Sequence, residues 1–322
     1  YATNIVLRGV VEGAKLLPWR ARLRTVGWIT SRVIAPLAGW DKRVRDNLAL
    51  IYPEMPEAEV RRMMRVVPAN AGRTLIEIYS GAAFKDRAAK AVITGAGWDA
   101  LQEAMATGQG VILVSGHFGN YDVPRAVLDA RGFKVGGLYR PFGNRYFNAH
   151  YRRTIGEISQ PVIPADDRKG LAEMIRFVRD GGMLGMLIDV HSSKYPAFRF
   201  FNRTAPTATS AADMALKYGL LLVPVYGLRL DDEGHYQLIV EAPIAHSTAG
   251  EMTQALNDSL ERQVRAHPAQ WLWTHQRWKL GGLDVLPDPS LGVLDPAARP
   301  AAVVSFGGAN RAKASAGAPS AI

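Results

Sequence analysis

Apolar and polar positions along this chain change period several times. From residue 98 onward, short apolar runs alternate with segments of helical period. Val111-Ile112-Leu113-Val114-Ser115, Phe133 to Tyr139, Met183 to Ile188, Leu220 to Arg229 and Tyr236 to Glu241 read as strands. Trp98 to Thr107, Tyr121 to Ala130, Asn144 to Ile155, Gly170 to Arg179, Ser210 to Tyr218 and Glu251 to Arg265 read as helices. Asn120 is placed to cap the second of these, and Gly181-Gly182 closes the fourth. Upstream, Ala58 to Val67 and Gly72 to Phe84 predict two further helices. This alternation predicts an α/β fold with a central, largely parallel sheet flanked by helices.

In such sheets the active crevice lies beyond the carboxyl ends of the strands. Three chemically capable residues fall there: His117, Arg140 and Asp189. His117 opens the loop His117-Phe118-Gly119-Asn120-Tyr121-Asp122, with Asp122 in the first turn of the next helix. A carboxylate on one ring nitrogen sets the tautomer and leaves the other nitrogen to take a proton. Asp122 is the expected partner. The competing reading is a solvated loop histidine, with Asp122 serving the helix N-terminus. Asp189 is read as a holder for a nearby arginine or as a turn former.

The 322 residues suffice for one large domain or two small ones, and 48% hydrophobic content allows a substantial core. A net charge of +10 favours anionic partners. The absence of cysteine excludes disulfides, thiol nucleophiles and Cys-ligated metals. Residues 1–50 hold nine Lys or Arg against three Asp or Glu. Leu23, Val26, Val33, Ile34 and Leu37 recur there at helical spacing, with Trp19, Trp28 and Trp40 among them. This predicts a basic amphipathic region over 1–45 that lies on a membrane surface, or a helix packed on its own domain. No run reaches the ~20 apolar residues of a spanning helix. A main domain is expected over 46–283 and a flexible Ala/Gly/Ser/Pro-rich tail over 284–322. No metal site is expected, since Asp189-Val190-His191 is too sparse. No cofactor is expected either, since a phosphate loop with Lys-Ser or Lys-Thr is missing; the lack of a Gly-x-Ser-x-Gly elbow disfavours a serine acyl-enzyme.

From about Asn47 to Lys279 the chain resembles the late (lauroyl/myristoyl) acyltransferases of lipid A biosynthesis. The resemblance rests on Asn47-Leu48 with Pro53-Glu54, and on Gly110 to Tyr121 with the His-x4-acid block. It continues through Tyr139-Arg140-Pro141, Asn144, Arg153 and Leu187-Ile188-Asp189. It ends with Phe200-Phe201, Ala205-Pro206-Thr207 and the closing stretch Pro268 to Lys279. It implies a glycerolipid-acyltransferase type of α/β domain on the cytoplasmic face of a Gram-negative inner membrane, peripheral or anchored by its N-terminal region. It implies transfer of an acyl chain from an acyl carrier protein or coenzyme A thioester to a hydroxyl of a phosphorylated glycolipid, a lipid A precursor. His117 is then the general base and Asp122 its partner. Arg140, Asn144, Arg152, Arg153, Arg168 and Asp189 are expected around the substrate, the cations matching phosphate and carboxylate. Oxyanion donors are backbone amides after His117 or an arginine such as Arg153. The lipid A group usually carries Glu where this chain has Asp122. The alternatives are therefore an acyltransferase of the same fold for a lysophospholipid, an aminolipid or another glycolipid, and a non-catalytic basic protein on membranes or nucleic acid. Nucleic acid is not the expected partner.

Overall fold

A computed structural model describes residues 2–141, 144–165 and 168–278; the expected tail lies outside them. The chain opens with α1 (Ala2–Lys15), α2 (Trp19–Ile29), a π-helical turn over Thr30–Ile34, α3 (Ala35–Leu37) and α4 (Trp40–Ile51). These lead into α5 (Glu57–Tyr79), which runs straight through Pro68, where the sequence predicts a break. A proline inside a helix costs about 3 kcal/mol. Val60, Met63, Val67, Thr74, Ile76 and Glu77 are all buried along α5, and their packing outweighs that cost. The second predicted helix instead breaks at Gly81, whose φ is +49°, and α6 (Ala82–Ala88) follows.

The N-terminal apolar residues divide between two faces. Trp19, Leu23, Gly27 and Ala35 are buried inward, while Trp28, Ile29, Val33, Ile34 and Leu37 point out, Leu37 being 84% exposed. α2 and the π-helical turn lie directly on α5: a Cβ on Gly72 would collide with Thr30 Oγ1.

The α/β part then unfolds in order. β1 (Val92–Thr94), α7 (Trp98–Thr107), β2 (Val111–Ser115), α8 (Val123–Ala130), β3 (Val135–Tyr139), α9 (Arg145–Gly156), β4 (Val162–Pro164), α10 (Arg168–Arg179) and β5 (Met183–Leu187) come first. β6 (Ala197–Phe200), β7 (Arg203–Pro206), α11 (Ser210–Tyr218), β8 (Leu221–Arg229), β9 (Tyr236–Val240) and α12 (Ala249–Ala266) complete it. Seven strands form one sheet in the order β1-β9-β8-β2-β5-β3-β4. Every pairing is parallel except β8 with β9. The expected α/β fold with a largely parallel sheet is thus the observed one.

β2 sits at the centre with all five residues buried. Val111 and Leu113 enter the core on one face, Ile112 and Val114 the core on the other. Such two-sided burial explains why the strand reads as continuous apolar sequence. The β6–β7 hairpin was not predicted. Its two-residue turn, Phe201-Asn202, has positive φ at both positions, a conformation usually advertised by Asn-Gly.

One buried ion pair ties the helical layer to the sheet. Glu77 of α5 is fully buried and accepts from Arg229 Nε at 3.0 Å and from the Tyr236 hydroxyl at 2.9 Å. Its other oxygen takes Arg229 Nη2 and, at 2.8 Å, the Asn120 amide. Removing one partner of such a pair strands the other charge in low dielectric. Glu77→Ala should therefore lower unfolding free energy by about 3–5 kcal/mol, read from urea titrations followed by circular dichroism. An unchanged midpoint would show that the pair is not a structural brace.

Candidate active site

The site is a product of strand register. β2 pairs β5 in parallel with Ser115 opposite Leu187. His117 and Asp189 each lie two residues further on, and neighbouring strands run about 4.8 Å apart. Residues 72 apart in sequence are thereby delivered side by side. The His117 ring nitrogen Nδ1 meets Asp189 Oδ1 at 2.8 Å, and its backbone N–H donates to Oδ2 at 2.7 Å. Trp271 Nε1 donates to that same Oδ2 at 2.9 Å. Asp189 is completely buried. Burial by itself would raise its proton affinity. The charge and hydrogen bonds of His117, with the nearby His275, reverse this and hold the carboxyl well below the usual carboxylate range.

The carboxylate on His117 is therefore Asp189, not Asp122. Asp122 immediately precedes α8 at its N-cap position, and its Oδ1 accepts from Arg125 at 2.5 Å, both side chains being nearly buried. The arginine also reaches Ser159 Oγ and the Ile155 and Ser159 carbonyls, tying α8 to α9. Nor does Asp189 hold an arginine; its partners are the ring and backbone of His117 and the indole of Trp271. Asn120 does not cap α8 by its side chain. It turns inward to Glu77, and its Oδ1 accepts from the Asp122 amide at 3.0 Å.

The loop carrying His117 is fastened on several sides. Gly119 has φ +57°, and a Cβ there would strike the Gly227 carbonyl oxygen at 2.0 Å, so the close approach requires glycine. Gly119 N–H donates to Gln270 O, Asn120 N–H to Gly227 O, and Leu272 N–H to His117 O. Thr74 of α5 donates its hydroxyl to Gly119 O at 2.8 Å. Most loop amides are consequently engaged, those of residues 117, 118, 119, 120, 122 and 123 among them. The sequence pattern does not reveal this belt, because Thr74, Glu77 and Gln270 look like ordinary helix-surface residues.

A small, half-open recess lies beside the ring. Val67, Ala71 and Leu75 line it from α5 at helical spacing, facing Tyr121, Trp271 and Leu272. The Tyr121 ring meets His117 edge-on at 5.3 Å, and burial raises its hydroxyl's proton affinity well above normal. His275 lies against the His117 ring with centroids 4.7 Å apart; burial and the neighbouring His117 lower its pKa to about 4.

The remaining predicted residues are spread around the strand ends. Arg140 stands just beyond β3, Arg152 and Arg153 lie on α9, and Arg168 opens α10; all four are exposed. None forms an ion pair among the described residues, and Arg153 contacts His150 Nδ1 at 3.3 Å. Asn144 is a helix cap, its Oδ1 accepting from the Tyr146 and Phe147 amides at 3.1 and 3.2 Å. The only cluster with metal-ligand spacing among the described residues, Asp231, Glu233 and His235, is exposed and belongs to the β8–β9 turn.

The two carboxylates have separable roles. Asp189→Asn should cut turnover about 10²–10⁴-fold through a misoriented ring, with the protein still folded. Asp122→Asn should instead cost about 3 kcal/mol of stability by weakening a buried pair, with a far smaller kinetic loss. Steady-state rates and denaturant melts on both variants check the assignment, and the reverse pattern would restore Asp122 as the aligning acid.

Known proteins resemble this chain over most of its length. The chain is 29% identical over 249 residues to a lipid A biosynthesis lauroyltransferase of Escherichia coli, covering 74% of this chain and 78% of that protein. It is 24% identical to a lipid A biosynthesis acyltransferase of Haemophilus influenzae, over 73% and 76% of the two chains. A phosphatidylinositol mannoside acyltransferase of Mycobacterium tuberculosis is 22% identical, over 74% and 78%. The profile of the family described as "Bacterial lipid A biosynthesis acyltransferase" matches residues 1–280, and the chain belongs to that family.

Proposed function

We propose that this acyltransferase moves a fatty acyl chain from an acyl thioester, carried on acyl carrier protein, to a hydroxyl of a phosphorylated lipid A precursor. The observation that carries the reading is the His117–Asp189 contact at the edge of a recess with one apolar wall. With Nδ1–H donated to the carboxylate, Nε2 holds the lone pair. Among the described residues, the hydrogen bonds of His117 run through its backbone and Nδ1 rather than Nε2. The acceptor hydroxyl gives its proton to Nε2 as its oxygen attacks the thioester carbon. The C–S bond then breaks, and the departing thiolate takes the proton back from Nε2. No covalent enzyme intermediate is needed, and a base so placed contributes roughly 10²–10⁴ in rate.

The row of Val67, Ala71 and Leu75 suits an alkyl chain laid along α5. Because most loop amides already have partners, positive side chains are the better oxyanion donors, and Arg153 is our choice. Arg140, Arg152 and Arg168 supply exposed cations for the acceptor's phosphates. Asn144 is assigned to helix capping rather than to substrate.

Membrane contact is assigned to the outer face of α2, the π-helical turn and α3. Trp28, Ile29, Val33, Ile34 and Leu37 are exposed there with Arg24 and Arg32 among them, the combination suited to an anionic headgroup layer. Among the described residues no helix is long and apolar enough to cross a bilayer. We place the protein on the cytoplasmic face of the inner membrane, peripheral or anchored by its N-terminal region.

Mass spectrometry of lipid A from cells lacking the protein should show a species short of one acyl chain. Wild-type protein should restore the chain and His117→Ala should not; rescue by that variant would end the general-base reading. Unchanged lipid A would move the acceptor to another glycolipid, tested with purified lysophospholipid and glycolipid acceptors. For the membrane face, the double substitution Trp28→Ser and Leu37→Ser should reduce co-sedimentation with anionic vesicles about tenfold while leaving the fold intact. Equal binding by the double variant would place the contact elsewhere.

A further inference from the structure

The closing stretch of the chain does more than complete the core. After Trp271 has donated to Asp189, the backbone turns so that His275 packs on the base, ring planes 54° apart. Asn47 of α4 holds this turn by donating to the Trp273 and His275 carbonyls at 2.7 and 2.9 Å. His275 Nε2 is buried and has no hydrogen-bond partner among the described residues. A buried polar atom left so costs about 1–3 kcal/mol, which an apolar side chain of similar size would avoid. A group kept at that cost beside the reacting base calls for a use.

Charge around the base narrows that use. Asp189 faces His117 from the end of β5, and Tyr226, beneath it, shares a hydrogen bond with Ser259. Tyr121 faces the ring from its own loop as a neutral phenol. Arg277 is wholly buried nearby and bound only to neutral oxygens, those of Pro206, Thr207 and Asn257. One buried carboxylate and one buried guanidinium balance before the reaction. A proton on His117 then adds one positive charge, and a second on His275 would stand unbalanced. A neutral imidazole in contact can instead turn its dipole and ring electrons toward the new cation.

We propose that His275 is a positioning residue whose uncharged imidazole stabilises the imidazolium formed on His117 as the acceptor hydroxyl is deprotonated. The role rests on the acyl-transfer reading, but the test separates the two. Nuclear magnetic resonance of protein carrying ¹³C-labelled histidine follows the His117 titration without substrate, its signal assigned by loss in His117→Ala. His275→Leu should move the His117 midpoint to lower pH, with no fall in melting temperature because an unpartnered nitrogen has been removed. His275→Gln should bring the midpoint back toward wild type. In the acyl-transfer assay the leucine variant should lose about tenfold in kcat, with acceptor KM within about twofold and the acid limb of the pH profile shifted the same way. Should that variant not fold, His275→Phe takes its place. A His117 midpoint that stays put, or that moves alike in the leucine and glutamine variants, overturns the proposal. Failure of wild-type protein to transfer acyl groups would count against the acyl-transfer reading, while the titration still decides the role of His275.

Discussion

Everything at this site depends on the register of β2 against β5. Parallel strands hold their partners in fixed step, so placing Ser115 opposite Leu187 commits His117 and Asp189 to each other. A slip of one residue would send every β5 side chain to the opposite face and carry Asp189 away from the ring. The register is secured by burial. Val111 to Val114 and Met183, Leu184 and Met186 are all nearly inaccessible, divided between cores on both faces of the sheet. The His117–Asp189 contact is thus stabilised by the apolar sequence behind it. Its polar atoms need little freedom of their own.

Fixing two strand ends does not fix a loop, and the loop has its own fastening. Gly119 and Gly227 let two backbones touch, the closing segment adds hydrogen bonds from Gln270 and Leu272, and α5 reaches over with Thr74 and Glu77. Glu77 does two things with one carboxylate. It neutralises Arg229 in the core and takes the amide of Asn120, three residues from the base. A buried charge pair is weak evidence for stability by comparison with a well-packed apolar substitute, but it is directional in a way that apolar contacts are not. Here that directionality orients the turn from which the imidazole projects.

Much of this was legible from residue order. Alternating apolar runs and helical periods mark the sheet, and His117 and Asp189 both stand out as polar residues just past buried strands. Their pairing is not legible, because it lies across the sheet. The chain offers Asp122 five residues away, and proximity along the sequence is a poor guide to proximity between strands. Asp122 is instead drawn to Arg125 by helical geometry, which puts residues three apart on one face. Pro68 misleads for a related reason: local propensity predicts a break, and tertiary packing overrides it. Glu77, Arg229 and Arg277 are invisible to pattern reading, since charged residues are presumed exposed until a partner is seen. The hairpin at Phe201-Asn202 lacks the glycine that usually announces such a turn.

α5 brings these threads together. Its outer side receives α2 and the π-helical turn, whose far faces carry Trp28 and Ile34 into solvent. Val67, Ala71 and Leu75 form a wall of the recess, and Thr74 and Glu77 hold the His117 loop. In the proposed membrane-bound state, two helix layers, α2 with the π-helical turn and then α5, would separate the lipid surface from His117, about 20 Å in all. That distance has a chemical consequence for an enzyme acting on amphiphiles. On the proposed reading, an acyl chain along α5 would stay in an apolar setting while its thioester carbonyl reached the strand ends near His117. The acceptor's phosphates can remain in water at the same time. The helix that reads in sequence as two unremarkable segments divided by a proline is the element that, on the proposed reading, would set the α/β sheet against a lipid phase.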